Sequence, residues 1–193
     1  MIKKRVHFIA ASLMAVTLCC VTGYAKKRKP KSYVIPRSQL KKKIAWINST
    51  TFKTPAYTIA PGYSSSSSEE IKPIFYDGVP VNGKPTKVFA WLGVPAKKNV
   101  PGVVLVHSGN GSASKLWVEK WLKRGYAAIA MDLNGGVPVK NAAGETVSKR
   151  HENAAPGTWN GFENSDKPCE QQWMYHAINA VIRANRAMSK KLS

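Results

Sequence analysis

Apolar residues follow two rhythms along this chain, and each predicts a different element. Ile71 to Tyr76 and Lys87 to Val94 are short runs that predict strands. The turn dipeptides Asp77-Gly78 and Asn82-Gly83 lie between them, so the pair predicts a hairpin or meander. Val103-Val104-Leu105-Val106 is continuously apolar, the pattern of a strand buried on both faces. From Ser112 or Ser114 the rhythm changes. Trp117 with Trp121 and Val118 with Leu122 recur four apart, while Lys115, Glu119 and Lys123 ladder along another face, and Gly125 supplies the stop. Tyr126 to Met131 is a second buried strand, ending at Asp132. Strand, helix and strand over 103–132 imply a right-handed crossover and parallel strands, which sets the fold class as α/β.

Flanking segments are less regular. Residues 44–60 read as extended, with Ile44, Trp46, Phe52, Tyr57 and Ile59 scattered among Thr and Ser and broken at Pro55. Pro61-Gly62 opens a turn, and Ser64 to Ser68 is a serine run of the kind that forms a loop or boundary. A near match to a phosphate loop, Gly78 to Lys84, is followed by Pro85 instead of Ser or Thr and reads as a turn. Residues 133–165 carry Gly135-Gly136, Pro138 and Pro156 with few apolar positions and predict a long irregular stretch. A helix over 168–188 follows, with Asp166 as cap and Pro168 in the first turn. Its apolar stripe is Trp173, Met174, Ala177, Ile178, Val181, Ile182 and Met188, and His176, Asn179, Arg183 and Arg186 share a face that reads as solvent.

A length of 193 residues with 44% hydrophobic content suits one domain with a packed core. It excludes a disordered tail, a collagen-like repeat and a disulfide-dense miniprotein. Charge changes the picture more, because 30 Lys and Arg stand against 10 Asp and Glu, a net +20. Lys3, Lys4 and Arg5 begin the chain, Val6 to Val21 is mostly apolar, and Gly23-Tyr24-Ala25 places small residues where a signal peptidase reads. Residues 1–25 therefore predict a cleavable signal peptide, a bacterial secreted or periplasmic destination, and no membrane span after cleavage. Leu18 precedes Cys19, which does not fit a lipoprotein site, and cleavage leaves Cys169 as the only thiol. The predicted organisation is 1–25 signal, 26–70 basic and Ser-rich arm, and 71–193 folded portion.

Nine basic residues and no acid lie in 26–43, whereas 44–193 carries 18 basic and 10 acidic residues. The 26–43 segment is a candidate polyanion contact, with anionic envelope lipid or acidic polysaccharide as partner and no nucleic acid expected outside the cytoplasm. A solvated tether is the plainer reading of the same stretch.

The chemistry-bearing segment is His107-Ser108-Gly109-Asn110-Gly111-Ser112, a glycine-rich turn between a strand and a helix N-terminus, where backbone N–H groups face something negative. Two chemistries use such a turn. Gly109-x-Gly111-x-x-Ser114 with Asp132 is part of a dinucleotide fingerprint, although Ser114 stands in place of the third glycine. An oxyanion hole is the other, in which pre-aimed donors meet the charge that develops during acyl transfer.

Several segments in order resemble the N-terminal half of an α/β-hydrolase close to bacterial acetyl xylan esterases and dienelactone-hydrolase-like esterases. They are Ile71 to Tyr76, Val88 to Trp91 with Gly93-Val94-Pro95, Pro101 to His107, Arg124 to Leu133, Trp159 to Phe162 and Gln172 to His176. The resemblance implies that 71–94 supplies strands one and two, that 103–107 is strand three, and that His107, Ser108, Gly109, Asn110 and Gly111 form the oxyanion loop. Ser108 and Asn110 depart from the family's glycines. It also implies an ester substrate, such as an acetylated polysaccharide, and no cofactor or metal.

That family's serine sits in Gly-x-Ser-x-Gly, followed by an acid and a histidine. No glycine of this sequence begins that motif. The triad is therefore expected beyond residue 193, and the chain is expected to be a fragment, inactive alone and marginally stable, with the edge of strand 103–107 open. Among local groups, His107 is expected to position the loop and His151-Glu152 to be a loop pair. Ser108 and Ser112 lack an evident base, and Cys169 at a helix start is a thiol of packing or plain exposure.

Overall fold

The computed structural model describes residues 36–63, 70–157, 164 and 166–192. The chain divides into two compact units, Met1–Ser32 and Tyr33–Ser193, and every described residue belongs to the second. The expected signal peptide, the serine run 64–68 and the Trp159 to Phe162 segment lie outside the described residues.

Along the chain the elements are α1 (Arg37–Thr51), β1 (Tyr57–Ile59), β2 (Ile71–Asp77), β3 (Lys87–Gly93), β4 (Gly102–Leu105) and α2 (Lys115–Leu122). They continue with β5 (Ala127–Met131), β6 (Gly136–Lys140), β7 (Thr146–Arg150), a 3₁₀ turn at Cys169–Gln171 and α3 (Trp173–Leu192). Five strands form one sheet in the order β1-β2-β3-β5-β4, and β6 and β7 form a separate hairpin. β2 and β3 are antiparallel, β3 and β5 are antiparallel, and β4 and β5 are parallel across α2. The class is α/β, as the strand–helix–strand unit predicts. Counted from β2 as strand one, the order is 1-2-4-3, which leaves β4 on an outer edge.

The period of two along the strands divides the core between the sheet's faces. Val88, Ala90 and Leu92 of β3 join Ile129 and Met131 of β5 against Ala180, Ala184 and Met188 of α3. Phe89 and Trp91 join Ala128 and Ala130 against Val118 of α2 and Val137 of β6. Full burial of a side chain such as Val118 or Ile129 stabilises the fold by about 1.5–3 kcal/mol. The β2–β3 connection turns at Asn82 and Gly83, both with positive φ (48° and 78°), as the Asn-Gly dipeptide predicts. α2 starts where Ser114 Oγ accepts from the Trp117 amide at 3.3 Å, and Gly125 follows its end at φ 81°.

Four expectations need correction. Residues 44–51 are helical, because they continue α1; only 57–59 of the extended reading is a strand. Val103 to Leu105 are half-buried and Val106 is 55% exposed, because β4 is an edge strand instead of a central one. Residues 136–150 are a hairpin, not an irregular stretch. Pro138 and the fully exposed β7, Thr-Val-Ser-Lys-Arg, gave no alternation of apolar and polar residues. Finally, α3 begins at Trp173, and Asp166 does not cap it.

The face of α3 is also shifted from the predicted one. Ala177, Ala180, Ala184 and Ala187 meet the sheet, while Met174 and Ile178 are 44% and 52% exposed. His176, Asn179 and Arg183 are buried instead of facing solvent, and only Arg186 of that group is exposed. The cause is local. The β2–β3 turn offers carbonyls to this flank, and Arg183 donates to Asp77 and Gly78 oxygens at 3.0 and 3.1 Å. Tyr76, fully buried, donates its hydroxyl to Ala180 O at 2.8 Å, and burial raises its pKa well above the ordinary value.

Candidate functional site

The 107–111 loop leaves the C-terminal end of β4 and is fixed by two side chains, His107 and Asn134. His107 Nε2 accepts from the Leu133 amide at 2.9 Å. Since that nitrogen is an acceptor, the ring proton sits on Nδ1, which donates to Ser108 O at 2.6 Å. Both ring nitrogens are thus engaged with backbone. His107 ties the loop to the chain after β5.

Gly111 is required by that ring. A Cβ at 111 would lie 2.8 Å from His107 Cβ and 3.0 Å from Nδ1. The Gly111 amide closes the turn on Ser108 O at 2.8 Å. Asn134 holds the same turn from the other side, with Nδ2 donating to Gly109 O at 2.8 Å and Gly111 O at 3.3 Å. The amides of Ser108, Gly109 and Asn110 donate to no other described residue, and Ser108 and Asn110 are exposed. The carbonyls of Ser108, Gly109 and Gly111 are engaged, and these amides remain available to an acceptor.

Asn134 is in turn positioned by its neighbours. Asp132, 3% exposed, accepts at Oδ1 from the amides of Asn134 (2.9 Å) and Gly136 (2.7 Å). Arg150 donates to Asn134 O at 2.8 Å and also to the carbonyls of Ala154 and Ala155. Burial lowers the Arg150 pKa, with the Asp132 charge acting in the opposite direction. Neither Asn134 nor Arg150 stands out in the sequence, because their partners lie 16 to 25 positions away. The one available signal is the Asp-Leu-Asn-Gly-Gly run at the end of a buried strand, a composition that favours side-chain-braced turns.

The remaining candidates sit apart from this loop or serve structure. His151 packs edge-on to Phe75, with ring centroids 5.1 Å apart. Its pKa is lowered by burial and by Arg150, with Asp132 and Glu152 opposing. His176 Nε2 lies 2.8 Å from Glu170 O on the α3 face of the sheet. Cys169 is half-buried at the 3₁₀ turn, its Sγ 3.2 Å from Glu170 Oε2. Among the described residues no three His, Cys, Asp or Glu side chains come together as a metal site.

The geometry weighs against dinucleotide binding. The space beside Gly111, which a pyrophosphate would need, is filled by His107, and Asp132 braces its own turn instead of pointing to a ribose. A cavity of about 680 Å³ lies beside the loop's exit, lined by Ser112, Ser114, Phe89, Trp91, Asp132 and Val139 among others.

No family model matches the chain. No curated protein matches it. Among solved structures it is similar to acetyl xylan esterase 1 from Thermoanaerobacterium sp. JW/SL YS485, at 13% identity and a TM-score of 0.46, over 78% of this chain and 45% of that one. A candidate acetyl xylan esterase from Bacteroides fragilis NCTC 9343 is similar at 10% identity and a TM-score of 0.40, over 100% of this chain and 53% of that one. The chain spans about half the length of each of these structures.

Proposed function

We propose that residues 71–188 are the oxyanion-loop portion of a serine carboxylic-ester hydrolase of the acetyl xylan esterase kind. One observation carries the reading: the 107–111 loop is held through the His107 ring and the carbonyls of Ser108, Gly109 and Gly111, and the amides of Ser108, Gly109 and Asn110 donate to no other described residue. Carbonyl addition moves charge onto oxygen, and a fixed amide donor aimed at that position is worth about 2.7–4 kcal/mol in the transition state. His107 does not act as the base in this scheme, because both ring nitrogens are occupied by backbone groups. The neighbouring cavity has a volume within the range of small-molecule sites and an aromatic wall at Phe89 and Trp91.

Nucleophile, acid and catalytic histidine are assigned to residues outside this sequence, which contains no Gly-x-Ser-x-Gly. By itself the chain is inactive, and the enzyme works outside the cytoplasm on an acetylated polysaccharide. Reading the coding DNA past codon 193 tests this directly. The expected result is a strand, then Gly-x-Ser-x-Gly, then a helix, with 4-nitrophenyl acetate turned over only by the longer product. Unrelated sequence after codon 193, or turnover by the 193-residue chain, would contradict it.

A further inference from the structure

Residues 1–68 contain thirteen Lys and Arg and no Asp or Glu; the first acid in the chain is Glu69. Within that stretch α1 has described side chains, and some of the exposed ones are large and apolar. Leu40 and Ile44, one turn apart, are 43% and 49% exposed, whereas Phe52 just past the last turn lies under the Arg186 guanidinium, 5.8 Å from its ring centroid. Lys41, about 60° round the helix from Ile44, is exposed too, and Lys42 is exposed on the opposite side of the helix. Only the far end of α1 rests on the body. Thr51 is buried, and Trp46 stacks on Tyr175 of α3 with centroids 5.9 Å apart and planes at 14°.

We propose that this face of α1 docks on an anionic lipid bilayer. Leu40 and Ile44 enter the edge of the acyl layer, and the lysine ammonium groups stay among the headgroups while their methylene stems cover apolar surface. Charge complementarity selects this occupant. A second copy of the chain meeting this face through its own α1 would bring Lys41 against the same cation, with no acid in residues 1–68 to pair with it. A polyanionic polysaccharide or nucleic acid would satisfy the lysines and leave Leu40 and Ile44 in water. A bilayer with anionic headgroups meets both demands, and basic residues near such a surface add to the apolar contact. Among the described residues no helix is long and apolar enough to cross a membrane.

The test uses the full chain with Cys19, Cys20 and Cys169 replaced by Ser and a nitroxide placed through Ile44→Cys or, about 140° round the helix, Ser49→Cys. Vesicles are phosphatidylcholine alone, or phosphatidylcholine with phosphatidylglycerol at about 7:3 to set an anionic surface. Val6 to Val21 is apolar sequence that partitions into lipid by itself, so the labels decide and not total binding. On the anionic vesicles label 44 is expected to lose access to a water-soluble nickel relaxant and label 49 to keep it. On phosphatidylcholine vesicles, or after Lys41→Glu, label 44 is expected to regain access. A Leu40→Ser change, at an exposed position, should reduce the protection of label 44 by several-fold. Equal accessibility of the two labels on anionic vesicles overturns the proposal. So does a concentration-dependent dimer abolished by Leu40→Ser, which would make a second copy the occupant. Protection of label 44 by dextran sulfate equal to that by lipid would assign the face to a polyanion instead.

Discussion

At the scale of single residues, the candidate site depends on a small set of groups that are packed against one another. Gly111 has no side chain because His107 occupies the place where one would go. Gly111→Ala is therefore expected to cost about 1–3 kcal/mol as an overpacking change. It should also push the ring off the Leu133 amide, so hydrogen exchange at Leu133 would speed up. Urea unfolding and exchange on the same sample check both, and an unchanged Leu133 amide would show that the ring is not held there. Two other histidines set the response to acid. Burial holds the His176 and His151 pKa values below the ordinary 6.5. The unfolded chain therefore binds more protons than the folded one as pH falls below about 6.5, and stability is lost in that direction. His176 Nδ1 is buried with no described partner, so a proton added there finds no acceptor. Urea midpoints are expected to fall from pH 7 to pH 5, with a shallower fall in His176→Gln, whose amide can still donate to Glu170 O.

Among the elements, β4 is an apolar strand, Val103 to Leu105, that is only half-buried at the edge of the sheet. Its outer edge pairs with nothing among the described residues, and Val106 at its end is 55% exposed. Such an edge is a template for pairing between chains, and charge on it is the usual protection. Val106→Lys is expected to raise the concentration at which the chain self-associates, read by sedimentation velocity, with little change in the urea midpoint. No effect on association would mean that this edge is not the contact. The strands and α2 were legible in the sequence because their cues are local: Asn82-Gly83, the Ser114 cap, the stop at Gly125, and unbroken apolar runs at 103–106 and 126–131. β7 was not legible, since all five of its residues are exposed and its stability comes from pairing with β6. The buried face of α3 was misread for a related reason. Hydropathy places His176, Asn179 and Arg183 in water, whereas carbonyls of the 3₁₀ turn, of α3 itself and of Asp77 and Gly78 receive their polar atoms.

For the molecule as a whole, the α/β sheet puts a glycine-rich loop at the C-terminal end of a parallel strand, where α/β proteins bind and react. The loop itself could be located from His107 to Gly111, but its fixation could not, because Asn134 and Arg150 act across 16 to 25 residues. Esterase chemistry at this loop requires that it be rigid before substrate arrives and that its amides face outward. The most direct test is a nitrogen-15 NMR measurement on the full chain that reads the His107 ring tautomer together with amide exchange from 107 to 133. The expected result is a proton on Nδ1 and an accepting Nε2, slow exchange at Gly111 and Leu133, and fast exchange at Ser108, Gly109 and Asn110. A proton on Nε2, or slow exchange at the three loop amides, would show that the loop spends its donors internally and would contradict the oxyanion role.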